Sequence, residues 1–499
     1  MVLFVGVLAW GGGAKASCRM ENPAALLARA AQEGSVRVLV GVTTPFVPEG
    51  HLGASQALLQ RGGIATAQER VLSRLEIFQE GPSVTRFQTI PYFAVRVGRK
   101  ALEQLMKDPE VCAVQEDRLD QADLAQSVPL IHAPEAWEVG YTGNGWTVAV
   151  LDTGVDKTHP FLAGKVVSEA CYSTSDDALL ASQDCTSVCP GGAASSTAPG
   201  SALPPLGGAY GTKFHHGTHV AGIAAGKSGD EGGVAREAQI LAVQVFSWFP
   251  NADGPGVGAA LTWDSDQIRG MERIYALRNT YKIAAVNMSL GGGKFTTTCD
   301  SDARKAIIDN LRSVGIATVI SSGNNGYTDA TGAPGCISTA VTVGATTKSD
   351  VVATYSNSAS FVDVLAPGSS INSSIPGGGF ASWNGTSMAA PHVAGAFAVI
   401  RTAYPDLTVD QIEDALKQTG VAVSDSPRAG SPLAITKPRI RVKETIDALA
   451  LITPTPTTAP PTGFPTVFPS GGGGGGGCNA GMAPWTLLLA LPLLGLIRR

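Results

Sequence analysis

The chain is poor in charged residues and has no excess of positive charge. Only 15% of its 499 residues are Asp, Glu, Lys or Arg, and the formal net charge is −5 at pH 7. Proteins that bind the phosphates of nucleic acid gather lysine and arginine into clusters or along one face. No such cluster occurs here, so the composition argues against nucleic acid as a partner.

A signature of zinc chemistry is also missing. Three histidines, His215, His216 and His219, lie close together in the sequence. Zinc proteases of the His-Glu-x-x-His type need a glutamate inside that motif, and this cluster has none. We therefore predict no catalytic metal. His219 and His392 are assigned to helix interiors, and Asp156 is assigned to a turn or a supporting contact.

Glycine and small or apolar residues are abundant instead. The chain has 60 glycines and is 44% hydrophobic, which is typical of a globular protein with a large core. A chain of this length exceeds one compact domain, so we expect more than one folded unit.

The most informative stretch is residues 385–395, Gly-Thr-Ser-Met-Ala-Ala-Pro-His-Val-Ala-Gly. It places Ser387 among small residues where a loop becomes a helix, because Pro391 is tolerated only near a helix start. The unpaired N–H groups and the dipole of that first turn favour negative charge beside the serine. This environment suits a nucleophile for acyl transfer, provided that a base takes the hydroxyl proton.

Two other segments supply a base and an orienting carboxylate. Residues 147–151 predict a buried parallel strand, and Asp152 follows at its carboxyl end, where α/β sheets place their ligands. His216 opens residues 216–226, whose small side chains predict a helix packed closely on a sheet. The order along the chain is Asp152, His216, Ser387.

These blocks resemble the signature motifs of the subtilisin-like serine proteases, the subtilases. The segments Asp-Thr-Gly, His-Gly-Thr-His-Val-Ala-Gly and Gly-Thr-Ser-Met-Ala-Ala-Pro-His-Val-Ala-Gly occur in the family's order, which differs from that of other triad proteins. The resemblance implies that Ser387 attacks the peptide carbonyl and that His216 acts as general base and then general acid. It implies that Asp152 orients the imidazole and stabilises its charged form.

A fourth segment, residues 320–326, is similar to the oxyanion segment of the family. This resemblance implies that the side-chain amide of Asn324 donates to the tetrahedral oxyanion, beside the N–H of Ser387. Asn325 is the alternative donor, and the motif favours Asn324.

Residues 287–292 resemble the family's substrate-binding strand. The resemblance implies that Ser289, Leu290 and Gly291 pair with the substrate backbone as an added strand. That mode of binding depends on peptide geometry more than on side chains. We expect an apolar or broad preference before the scissile bond in place of a strictly basic one.

A separate unit precedes these motifs. Residues 36–42, 94–97 and 111–115 predict strands, and residues 66–78 and 100–107 predict helices. The unit at 36–120 resembles the inhibitory propeptide of subtilases, which implies that its C-terminal tail occupies the active site and that self-cleavage falls between about 117 and 127. An unrelated accessory domain is the alternative.

Both ends of the chain predict export. Residues 1–16 resemble a secretory signal peptide, although no lysine or arginine precedes the apolar run. Residues 453–477 are rich in Pro, Thr and Gly and predict an extended linker. Residues 478–499 resemble a bacterial sorting tail, and their apolar part would span only about 24 Å of a roughly 30 Å hydrocarbon core. We expect a temporary membrane anchor cut near Cys478; a permanent tail anchor is the alternative.

The eight cysteines agree with an extracellular or cell-surface location. Five lie in the predicted catalytic domain, so two disulfides and one remaining thiol are expected there. We predict a Cys299–Cys336 disulfide, because both cysteines flank one helix–strand unit. Cys171 is expected to pair with either Cys185 or Cys189.

The order of elements predicts the fold class. Strands at 147–151, 239–245, 284–288, 317–320 and 341–344 alternate with helices at 267–278, 302–313, 387–401 and 407–418. This alternation predicts a three-layer α/β/α domain with a mostly parallel sheet, which the resemblance places at 129–451. Thr408 and Gln411 have the spacing of a capping box for the last helix. Residues 174–214 are predicted to be an inserted loop.

The sequence thus predicts a secreted or surface-anchored serine endopeptidase that is made as a self-processed precursor and acts on proteins or peptides. No cofactor is required for the chemistry, and the resemblance allows structural calcium in the loops without identifying ligands. A catalytically inactive subtilase-like binding module and a peptide ligase remain the alternatives.

Overall fold

The computed structural model describes residues 23–75, 84–117, 119–122, 127–176, 184–229, 231–425 and 435–452. The predicted signal peptide at 1–16, linker at 453–477 and tail at 478–499 lie outside the described residues. Within the described residues, no helix is both long and apolar enough to cross a membrane.

The described helices and strands are as follows. The α-helices are α1 Pro23–Gln32, α2 Ala54–Leu72, α3 Arg99–Lys107, α4 Ala133–Glu138, α5 His216–Ala225, α6 Asp264–Ala276, α7 Arg304–Ser313, α8 Thr386–Ala403, α9 Val409–Thr419 and α10 Val442–Ile452. The strands are β1 Val36–Val42, β2 Thr85–Arg86, β3 Tyr92–Val97, β4 Val111–Glu116, β5 Leu119–Ala122, β6 Thr147–Asp152, β7 Val166–Tyr172, β8 Thr186–Ser187, β9 Ser195–Ser196, β10 Lys227–Ser228, β11 Glu231–Gly232, β12 Gln239–Gln244, β13 Ser247–Phe249, β14 Ala259–Trp263, β15 Ile283–Met288, β16 Leu290–Phe295, β17 Ala317–Ser321, β18 Thr331–Ala333, β19 Val341–Thr346, β20 Val364–Pro367, β21 Ile371–Ile375, β22 Gly379–Trp383, β23 Val421–Ser424 and β24 Thr436–Arg439.

A large sheet forms the centre of the molecule, in the order β23-β24-β20-β19-β17-β15-β6-β12-β7-β9. Its inner strands pair in parallel, and only the outermost strands β9 and β23 pair antiparallel to their neighbours. Because side chains alternate across a strand, Val148 and Val150 of β6 join the core beneath α5 and α8. Ala149 and Leu151 join the core beneath α6 and α7. The predicted three-layer α/β/α fold is confirmed.

The five predicted strands of this sheet agree with the observed bounds to within two residues. The capping box of α9 is also present, since Thr408 Oγ1 accepts the Gln411 N–H at 3.2 Å and Gln411 Oε1 accepts the Thr408 N–H at 2.8 Å. The helix predicted at 66–78 is wrong at both ends, because α2 spans Ala54–Leu72. The helix continues through Gly62 and Gly63, which disfavour helix, and Ala67 and Val71 of α2 pack in the core of the small sheet.

The unit predicted at 36–120 contains an antiparallel sheet in the order β2-β3-β1-β4. One face of this sheet packs against α1, α2 and α3 in a core of its own, which includes Val38 and Val40 of β1. Leu39 points to the other face and joins the same core as Ile268 of α6 and Ile307 of α7. The small sheet therefore lies directly on two helices of the large domain.

Two disulfides are present. Cys299–Cys336 confirms the predicted pair, and Cys171 pairs with Cys189 in preference to Cys185. Cys185 is buried, and its thiol donates to the carbonyl of Thr174 at 3.3 Å. Burial raises the pKa of this thiol to about 12, so it stays protonated and unreactive at neutral pH.

Candidate active site

The carboxyl end of β6 and the first residue of α5 bring a carboxylate and an imidazole together. His216 Nδ1 lies 2.7 Å from Asp152 Oδ1, and both side chains are almost fully buried. A second donor, the Thr153 N–H, holds the same carboxylate oxygen at 2.7 Å. Because an ionised carboxylate only accepts hydrogen bonds, Nδ1 carries the ring proton and Nε2 keeps a free lone pair.

Close backbone contact between two glycines sets the position of α5. A Cβ atom added to Gly217 would lie 2.2 Å from the carbonyl oxygen of Gly154. The Gly217 N–H donates to Thr153 Oγ1 at 2.8 Å, and this hydroxyl donates to the Phe214 carbonyl at 3.1 Å. His216 is thus held directly above the end of the strand that carries Asp152.

Ser387 lies in the first turn of α8 and is 1% exposed. Its hydroxyl donates to the Ser289 carbonyl at 3.2 Å, and the Ser289 hydroxyl donates back to the Ser387 carbonyl at 2.5 Å. Helices α5 and α8 share one core, so the serine lies in the same layer as His216. Within the described chain His216 Nε2 has no hydrogen-bond partner. The structure therefore pairs Asp152 with His216, and it holds Ser387 against Ser289.

Asn324 follows β17 and contacts the residue directly before the serine. Its Oδ1 accepts the Thr386 N–H at 2.8 Å and the Thr386 hydroxyl at 3.0 Å. With the oxygen end occupied, Nδ2 is the end of the amide that remains to donate. Asn325 is instead held by Asn357, whose Oδ1 accepts the Asn325 N–H at 3.0 Å.

A short strand occupies the groove beside these residues. Strand β5, Leu119–Ala122, pairs antiparallel with β16, placing Ala122 opposite Leu290 and Gln121 opposite Gly291. On its other side β5 pairs antiparallel with β14. The second wall of the groove, β14, was not predicted from the sequence, because its run Ala-Ala-Leu-Thr-Trp carries no motif. The segment that follows the small domain is thus inserted between two strands of the large domain.

The remaining histidines of the motifs are buried and neutral. His219 stacks on Trp383 with a ring separation of 4.3 Å, and burial lowers its pKa to about 3. His392 has Nδ1 at 2.6 Å from the Met388 carbonyl, its Nε2 accepts the Ser127 N–H at 2.9 Å, and burial lowers its pKa to about 4. No group of three His, Cys, Asp or Glu that could hold a metal ion occurs in the part of the chain that the structure describes.

Asp156 belongs to a turn, in agreement with its assignment. Burial alone would raise the pKa of its carboxyl group, but hydrogen bonds from Thr158 and from the Gly377 N–H outweigh burial and hold the pKa below its ordinary value. The Asp156 N–H in turn donates to Thr218 Oγ1 at 2.9 Å, a contact with α5 two residues beyond the catalytic candidate His216.

The sequence is similar to one protein family and to several known proteases. Residues 143–435 match the model of the subtilase family. Subtilisin E of Bacillus subtilis is 35% identical over 360 residues, which cover 70% of this chain and 81% of that protein. Subtilisin of Bacillus pumilus is 35% identical over 311 residues, 60% of this chain and 94% of that protein. An alkaline protease of Shouchella clausii is 31% identical over 418 residues, 82% of this chain and 92% of that protein.

The contact between Gly217 and Gly154 predicts a large effect from one methyl group. In a Ser387→Ala background, Gly217→Ala is expected to lower the free energy of unfolding by about 3 kcal/mol or more, because the backbone must move to relieve the overlap. Gly379→Ala is the matched control, since its Cβ would meet Ile375 at 3.5 Å, an ordinary contact. Urea unfolding of both variants measures the difference, and equal stabilities would contradict the proposed fit.

Proposed function

Because this chain belongs to the subtilase family of serine-type endopeptidases, we propose that it cleaves peptide bonds with Asp152, His216 and Ser387 as its triad. One observation carries the proposal: a buried carboxylate fixes the tautomer of a buried imidazole in the same layer as a serine at the start of a helix. An imidazole held in this tautomer by a carboxylate can act as general base for a serine hydroxyl that reaches its Nε2. The substrates are proteins or peptides.

The first step of the mechanism exchanges one hydrogen bond for another. In the structure the Ser387 hydroxyl donates to the Ser289 carbonyl. A substrate strand beside β16 needs that carbonyl to accept a backbone N–H, so binding releases the hydroxyl to rotate toward His216 Nε2. His216 then takes the proton as Ser387 Oγ bonds to the peptide carbonyl carbon, and Asp152 stabilises the imidazolium.

The tetrahedral oxyanion forms at the start of α8. Asn324 Nδ2 and the Ser387 N–H are the donors, and the dipole of α8 adds to their field. Collapse of the intermediate expels the amine, which takes its proton from His216, and leaves an acyl-enzyme on Ser387. Water activated by His216 then releases the acid.

We also propose that residues 36–120 are an inhibitory propeptide of this enzyme. Side chains of the small domain complete the starts of two helices of the large domain: Asp117 Oδ1 accepts the Ser265 N–H of α6 at 2.8 Å, and Gln115 Oε1 accepts the Ala303 N–H before α7 at 2.8 Å. Since the first N–H groups of a helix lack partners within it, these contacts stabilise α6 and α7 in the precursor.

The large domain makes a reciprocal contact. Glu272 of α6 accepts the N–H groups of Gln88 and Thr89 at 2.9 Å each and the Thr89 hydroxyl at 2.8 Å. Burial raises the pKa of Glu272, and the three donors oppose this effect. With the domain docked in this way, its C-terminal continuation enters the substrate groove as β5 and blocks it.

We also propose that the protein is exported, with a signal peptide at 1–16, a linker at 453–477 and a membrane anchor at 478–499. Two disulfides in the catalytic domain 129–451 support an oxidising compartment. Structural calcium remains part of the proposal through family membership alone, with no ligands assigned.

The function is tested by replacing the nucleophile. The parent is expected to hydrolyse casein, to mature and to react with a fluorophosphonate probe, whereas Ser387→Ala should lose all three. If the parent neither matures nor hydrolyses casein, and does not react with the probe, this would favour an inactive binding module. A parent that transfers the acyl group to an added amine in preference to water, detected by product mass, would favour a peptide ligase.

The oxyanion assignment predicts unequal effects for two adjacent asparagines. Asn324→Ala is expected to lower kcat by about 10²–10³ with little change in KM, as loss of one such donor does in a subtilisin. Asn325→Ala should change kcat by less than about threefold, because the Asn325 side chain contacts Asn357, whose Nδ2 donates to Asn325 Oδ1 at 3.4 Å. Steady-state kinetics on a peptide substrate checks both, and the reverse ranking would reassign the donor.

The pairing of β5 supports a processing site in the later part of the predicted range, 117–127. Ala122 lies opposite Leu290, the neighbour of Ser289, whose carbonyl accepts the Ser387 hydroxyl. The Ser127 N–H donates to His392 Nε2 of α8. We expect the mature chain to begin between Leu124 and Ser127, as read by N-terminal sequencing. A mature end before Leu119 or beyond Pro129 would contradict the register.

A further inference from the structure

Two arginines of the small domain reach carboxylates at the entrance of the groove. Arg37 of β1 and Arg96 of β3 face each other across the sheet. Like charges in that position repel, yet each guanidinium group has an acidic partner. Arg37 Nε lies 2.6 Å from Asp117, and Arg96 Nε lies 2.7 Å from Asp176 of the large domain. Arg96 therefore forms an ion pair across the interface between the small and the large domain.

Asp176 belongs to the segment that the sequence predicted to be an insertion. The disulfide between Cys171 and Cys189 closes this segment, and the backbones of Asp176 and Cys185 bond to each other in both directions at 2.9 Å. Strand β8 of the same segment pairs with β13, which pairs with β14. The segment therefore extends the sheet that holds β5, and the covalent and backbone ties fix Asp176 in place before any ligand binds.

A second carboxylate, Asp266, holds the backbone of the segment that carries Asp176. Asp266 of α6 is fully buried, and its Oδ2 accepts the Thr174 N–H at 2.9 Å, just before Asp176 in the chain. Its other oxygen lies 3.2 Å from Arg269. Asp176 is different, because it forms its ion pair with Arg96 of the small domain and also interacts electrostatically with Arg37 of that domain. Its side chain is 11% exposed with Arg96 in place. Loss of the small domain removes both arginines and leaves the Asp176 carboxylate without an ion-pair partner among the described residues.

The site is close to the path of a substrate. The guanidinium of Arg37 lies over the ring of Trp263 at 5.3 Å, and Trp263 is the residue of β14 that pairs with Leu119 at the start of β5. Asp117, two residues before β5, already contacts Arg37. A long side chain of a substrate at the position equivalent to Asp117 therefore reaches the space that guanidinium groups occupy in the precursor.

We propose that Asp176, backed by Asp266, forms an exosite that binds a basic side chain of the substrate several residues upstream of the scissile bond. The exosite holds Arg96 in the precursor and becomes available when the small domain departs. It gives an enzyme that otherwise recognises backbone a preference for polypeptides with arginine or lysine ahead of the cleaved bond. The inference rests on the proposed protease function and names its preferred substrates.

The test uses the mature enzyme and one quenched fluorescent peptide scaffold. Arginine is placed in turn at each position from five to nine residues before the scissile bond, and each peptide is compared with its glutamine counterpart. At one or two adjacent positions arginine is expected to raise kcat/KM by about threefold to tenfold, mainly through KM, as one partly buried ion pair would. The preference should fall in 0.5 M salt, because screening weakens it.

Variants of Asp176 test whether the preference for arginine depends on its carboxylate. Asp176→Asn should bring the arginine-to-glutamine ratio to about 1, Asp176→Glu should retain part of it, and Asp253→Asn, on an exposed loop, should leave it unchanged. Glutamine peptides should be cleaved equally by all variants, which shows that folding and catalysis are intact. A ratio of 1 at every position in the parent, or a ratio that survives Asp176→Asn, would overturn the exosite. Failure to cleave any peptide would instead overturn the protease function.

Discussion

The buried hydrogen bond between Asp152 and His216 is the constraint on which the rest of the site depends. A carboxylate at the end of a central strand and an imidazole at the start of a helix meet only if helix and strand approach closely, and Gly217 against Gly154 permits that approach. The bond selects the Nδ1–H tautomer and leaves Nε2 as a base. The sheet and its two helical layers bury both groups, and this hydrogen bond is stronger in the protein interior than in water.

The groove beside the site is filled by a strand of the chain itself, and under the proposed function the same surface serves both inhibition and turnover. Strands β14 and β16 pair with β5 on its two sides, and we propose that a substrate strand binds in the same way. Helix starts capped by Asp117 and Gln115 bind the small domain to the same helices that support the groove. Under the proposed function, docking of the small domain on α6 and α7 is coupled to blocking of the groove by β5, and the proposed exosite at Asp176 would add charge selectivity.

Local sequence patterns identified the residues of the candidate site, whereas contacts between distant segments could not be predicted from them. Asp152, His216, Ser387 and Asn324 each lie in a contiguous motif, so their residue types could be recognised in the sequence, and the apolar runs predicted the parallel sheet. The extension of α2 through Gly62 depends on tertiary packing. The choice of Cys189 over Cys185, the wall formed by β14 and the pairing of Arg96 with Asp176 join segments that are distant in sequence and have no local signal.

The most direct test of this account is a crystal structure of the mature protein after reaction with a fluorophosphonate. The account predicts phosphorus bonded to Ser387 Oγ, one phosphoryl oxygen within hydrogen-bond distance of Asn324 Nδ2 and the Ser387 N–H, and the Asp152–His216 pair unchanged. An adduct on any other residue, or a phosphoryl oxygen that faces away from Asn324, would contradict it.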